Sequence, residues 1–80
     1  MNKIETLANY AHDAWIGWMK YLFSKCTLNI DGTVTIPKES VDRWMRQMDT
    51  TYQELSDGEK KSDREEAYKI MYIVEDRRDS

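Results

Sequence analysis

The chain has one cysteine, one histidine, one proline and three glycines among its 80 residues, and each shortage removes a class of function. Cys26 has no partner for an intramolecular disulfide, so a stapled secreted scaffold is excluded. Together with a polar, charged opening that lacks a leader pattern, this is read as a cytoplasmic address, the host cytoplasm if the chain is phage-encoded. His12 and Cys26 are far apart in sequence and have no second histidine or cysteine nearby, so neither a zinc site nor a Cys-His nucleophile is expected. Neither Gly32 nor Gly58 sits in a glycine-rich phosphate loop. A long hydrophobic run is also missing. The most apolar stretch, Ala14 to Phe23, is broken by Lys20 and falls short of the ~20 residues of a membrane span.

An excess of positive charge is absent too. Lys and Arg number 12 against 15 Asp and Glu, a net charge of -3, and bases alternate with acids. Phosphate-backbone binding needs a basic stripe, so nucleic acid is not an expected partner. Catalysis needs positioned acid-base or nucleophilic groups, and with so few the chain reads as a non-enzyme with no cofactor.

What the chain has in quantity is flat rings: three tryptophans and five tyrosines. From Lys3 to about Cys26, Ile4, Leu7, Ala8, Ala11, Trp15, Trp18 and Leu22 recur at three- and four-residue steps, the signature of one helical stripe. Leu28 to Ile36 alternates apolar and polar residues around Asp31-Gly32, which predicts a short hairpin that must lean on a helix to persist. Pro37 suits the first turn of a second helix in which Val41, Trp44, Met45 and Met48 share a face, with Glu39-Arg43 and Asp42-Arg46 spaced to pair. Asp49 to Glu54 shows no period. Ser56 and Glu59 then form a capping box that opens a third helix, whose stripe runs through Asp63, Ala67, Ile70, Met71 and Val74.

The expected fold is therefore mainly α: three helices, with a β-hairpin between the first and second. One domain spans 1–80, frayed at 1–3 and 76–80. A domain this small buries only ~60% of its unfolded surface, so a thin core is expected.

Two segments carry a resemblance. His12 and Trp15 form an H-x-x-W pair on the first helix, and Tyr52 through Arg64 reads Y-x-x-L-S-x-x-E-K-x-x-D-R. In that order they resemble the RyR domain, the small repeat named for ryanodine receptors and also found in short bacterial and phage proteins. The middle departs from it: the hairpin and Arg43-Trp44-Met45-Arg46 stand where the receptor repeats carry a Gly-Trp-Thr-Tyr-Gly-like loop, and Thr51 rather than Pro precedes Tyr52. The resemblance implies a non-catalytic binding module, with the motif tryptophan against an adenine base. Prokaryotic members often accompany nucleotide signalling and defence, which implies a sensor or a sponge for a signalling nucleotide, and for a phage an anti-defence role.

The candidate ligand-binding residues are accordingly Trp15, His12, Trp44, Arg43, Arg46, Tyr52 and Arg64, with the rings stacking and the guanidinium groups meeting an anion. Trp15 and Trp44 stay open between site and core, Trp18 is assigned to the core, and His12 is assigned Asp63 as its partner. Glu59, Lys60, Asp63 and Arg64 are expected to form an ion-pair network that fixes the third helix against the first. A homo-oligomer would complete so small a site across an interface. The alternative is a protein-interaction module or small inhibitor anchored by Trp44 and Tyr10.

Overall fold

A computed structural model describes residues 2–75. Among them the chain forms α1 (Lys3–Ser24), a two-stranded ribbon of β1 (Thr27–Leu28) and β2 (Val34–Thr35), α2 (Lys38–Met48), a single 3-10 turn at Tyr52–Glu54, and α3 (Asp57–Glu75). The expected three helices with a hairpin between the first two are what the chain builds. The expectation for 76–80 lies outside the described residues.

Local chemistry explains most boundaries. Asn2 caps α1 by accepting from the Glu5 amide at 2.8 Å, satisfying a donor that the first turn leaves without a helical acceptor. Pro37 holds extended backbone and serves as the N-cap of α2, so the helix begins one residue after it. The capping box closes in both directions: the Glu59 amide donates to Ser56 Oγ at 3.2 Å, and the Ser56 amide donates to Glu59 Oε1 at 3.1 Å.

The ribbon is antiparallel, with Thr27 opposite Thr35 and Leu28 opposite Val34. Its turn is a three-residue loop, because the Asn29 amide donates to the Thr33 carbonyl and the Gly32 amide to the Asn29 carbonyl. Gly32 takes φ +90°, the left-handed position that such a loop needs and that a side chain would strain. The Thr33 hydroxyl and amide both donate to Asp31 and hold its carboxyl below the usual range, the hydroxyl contributing most. Thr27, Asn29, Thr33 and Thr35 make one polar face, knitted by Asn29 Nδ2 donating to Thr33 and Thr35 at 3.0 Å each. Leu28, Ile30, Val34 and Ile36 make the other face, and all four are exposed. The ribbon therefore does not rest its apolar side on a helix as expected.

That finding extends beyond the ribbon. Among the described residues no hydrophobic side chain is buried, and Ser40, at 8% exposure, is the one enclosed residue. Among the described residues the expected thin core is reduced to half-buried side chains such as Leu7, Ile16, Leu22 and Trp44. Trp18, assigned to the core from its place on the stripe, is 64% exposed. The radius of gyration is 16.5 Å, against about 12 Å for a compact chain of this length. The accessible surface is 6850 Å², where a compact 9.6 kDa chain would expose about 5,100 Å².

Polar contacts do much of the joining. Tyr10 on α1 donates its hydroxyl to Glu66 on α3. This bond pushes the Tyr10 phenol up to about 12 and lowers the Glu66 carboxyl. No helix among the described residues is long and apolar enough to cross a membrane.

Candidate functional site

The candidate residues fall into four places. On α1, His12 and Trp15 stand one turn apart and stack, with ring centroids 6.0 Å apart and planes 20° from parallel. Among the described residues His12 has no hydrogen-bond partner, and Asp63 does not pair with it as expected. Trp15 is exposed. It lies six residues, or about 9 Å along the axis, before Tyr21, and no ring contact joins it to Trp44 among the described residues.

The second place is the junction of α1 and α2. Trp44, half-buried, meets Tyr21 at 6.4 Å between centroids with the rings tilted by 58°. Arg43 donates from Nη2 to the Tyr21 hydroxyl at 3.0 Å, and its Cζ stands 5.9 Å from the Trp44 ring. Lys25 completes the group, with Nζ 5.3 Å from the Tyr21 ring centre. Neither cation is within ion-pair distance of a carboxylate among the described residues. Two tilted rings edged by two cations lacking a carboxylate partner are suited to a flat anionic group, through stacking and charge-assisted hydrogen bonds.

The expected pairing of Glu39 with Arg43 and Asp42 with Arg46 does not form. Asp42 instead takes Lys38 at 2.7 Å, and the two arginines reach across to other elements. An i to i+4 pair on an exposed helix is worth only a few tenths of a kcal/mol, so a competing tertiary partner displaces it easily.

The third place is where α2 meets the start of α3. Arg46 donates to Glu59 at 2.9 Å and Gln47 donates to the same oxygen, while Ser56 holds the other oxygen of that carboxylate. The donors drive the Glu59 carboxyl down to about 2, with Gln47 first and Arg46 next. Arg46 is thus committed to a structural joint. A shallow cleft of about 420 Å³ opens here, lined by Gln47, Leu55, Gly58, Glu59, Ser62 and Asp63, with carboxylates and no ring.

The fourth place is around Tyr52. Arg64 donates to its hydroxyl at 3.3 Å and Lys60 lies 5.8 Å from its ring centre. The expected network among Glu59, Lys60, Asp63 and Arg64 is therefore replaced: Glu59 turns to α2, while Lys60 and Arg64 turn to Tyr52.

Tyr21 and Lys25 escaped the sequence reading. Their i, i+4 spacing, with Tyr21 in the last turn of α1 and Lys25 as its C-cap, was a signal that one ring and one cation share a face. That α2 delivers Trp44 and Arg43 to the same place is set by tertiary contact and has no local signature. Among the described residues no three His, Cys, Asp or Glu side chains gather to hold a metal ion. No protein-family model, curated protein or solved structure matches the chain.

Proposed function

We propose that this chain is a non-catalytic binding module for a flat, anionic small molecule of nucleotide type, with Trp44 and Tyr21 as its ring surfaces and Arg43 and Lys25 as its anion contacts. The observation that carries this reading is the presence of two cations over two tilted rings with no carboxylate among their partners. The resemblance to the RyR domain points to nucleotide ligands in general, through Trp15 and Tyr52 and not through the residues of this site. Binding without chemistry fits a role in sensing or sequestering a signalling nucleotide.

Thermal-shift measurements against mono-, di- and cyclic nucleotides and ADP-ribose test it. A true ligand at a hundred times its dissociation constant adds about 2.7 kcal/mol of stability. The shift should be confined to one chemical class and should vanish in Trp44→Ala and Arg43→Ala while the far-UV circular dichroism of both variants is kept. A flat response across the panel, or a shift that survives both substitutions, contradicts the reading.

A second reading, protein association, is favoured by the amount of apolar side chain left uncovered.

A further inference from the structure

The uncovered surface has an order that becomes visible on α1. Ile4, Ala8, Ala11, Trp15, Trp18 and Leu22 follow one another at alternating steps of four and three, the a and d positions of a heptad, over most of the 22 residues of the helix. At 100° per residue they occupy a strip about 80° wide. Tyr10, the residue that reaches α3, lies about 120° around the helix from the middle of that strip. The strip is open over most of its length: Ile4 is 72%, Trp15 54% and Trp18 64% exposed, while Leu22 at its end is half-buried.

We propose that this strip is the interface of a homodimer, in which α1 of one chain packs antiparallel against α1 of a second copy across a two-fold axis beside residue 13. The sequence is self-complementary about that point. The axis sets Ile4 against Leu22, Ala8 against Trp18 and Ala11 against Trp15, so that each indole faces an alanine methyl and every layer joins an a residue to a d residue. A two-fold interface requires this reciprocity, since whatever residue i gives to residue j the partner must return. A foreign helix would impose no such symmetry on this one.

The area agrees. The chain exposes about 1,700 Å² more than a compact chain of its mass. A standard interface takes roughly 800 Å² from each partner, and obligate dimers take more. The strip carries part of that excess, with Ile30, Met48 and Tyr68 carrying more of it elsewhere, which leaves room for an interface of standard size. A second copy thus supplies apolar burial that the single chain lacks. Tyr21 lies about 100° around the helix from the middle of the strip and Lys25 follows Leu22 at the strip's own spacing, so the ligand site borders this interface without sharing its six residues.

Sedimentation equilibrium tests the dimer, and cysteine cross-linking tests its geometry. The wild-type chain should sediment at twice its mass, and Ala11→Glu should raise the dimer dissociation constant by roughly a hundredfold or more, because a lone carboxylate would be pressed against an indole. In a Cys26→Ser background, His12→Cys sits beside its own counterpart across the axis and should oxidise to a covalent dimer. Lys20→Cys, roughly 21 Å from its counterpart along the axis, should not. A monomeric wild type, a dimer indifferent to Ala11→Glu, or equal cross-linking of the two cysteine variants would each overturn the proposal. Ala11 is exposed in the single chain, so the glutamate meets no clash within its own copy.

Discussion

The α2–α3 joint and the α1 strip are opposite solutions to the same problem. At the joint, one carboxylate takes donors from Gln47, Arg46 and Ser56 and needs no apolar support. On the strip, six apolar residues are aligned with heptad spacing, and Ile4, Trp15 and Trp18 stay open to solvent while Leu22 is half-buried. The contrast teaches that in this chain polar bonds set the arrangement of the elements while the hydrophobic driving force is left unspent. Directional bonds position well, but each contributes only about 0.5–1.5 kcal/mol net, too little to hold three helices alone. Apolar burial is the large term, and in the proposed dimer it is gained on association.

Substitutions separate the two regions by size of effect. The largest belongs to the strip: Trp18→Ala should destabilise the associated protein by about 3–5 kcal/mol, the usual cost of emptying a buried tryptophan site. Urea unfolding at several protein concentrations reads it, and an effect near zero at all concentrations would mean that the exposed Trp18 of the single chain is its final state. Next comes the joint, where Ser56→Ala removes the reciprocal cap and should cost about 1 kcal/mol, with the same urea slope as wild type. A cost as large as that of Trp18→Ala would erase the contrast.

The smallest effect is a pH signature confined to the joint. Glu59 has a folded value of about 2 against an ordinary 4.5. A depressed carboxyl stabilises the fold fully above the ordinary value, and its contribution is lost as pH falls from there through about 2. Glu59→Gln should therefore flatten the acid limb of the stability profile across that window. An unchanged limb would mean that Glu59 is not held by Arg46 and Gln47 in solution.

These regions also differ in how far they could be read from sequence. The capping box was legible because its partners are three residues apart and its chemistry is local. The hairpin was legible for the same reason, since period-two alternation around Asp31-Gly32 is a short-range signal, although the three-residue loop and the bare apolar face were not. The stripe on α1 was visible as a period, but period alone does not say what covers it, so Trp18 was assigned to the core, whereas it is exposed in the single chain. Arg43 and Arg46 were given helical neighbours, whereas tertiary partners, Tyr21 and Glu59, took them. The proposed ligand site was half legible: Trp44 and Arg43 stood out by type, whereas their meeting with Tyr21 and Lys25 depends on how α2 packs on α1. The turn at Tyr52–Glu54 is too short to show a period at all.

The central claim, that the apolar surface of this chain is completed by a second copy, is tested most directly by sedimentation equilibrium of the unmodified protein. A species of twice the 9.6 kDa chain mass is expected over the micromolar range. A single species at the chain mass across that range would contradict it.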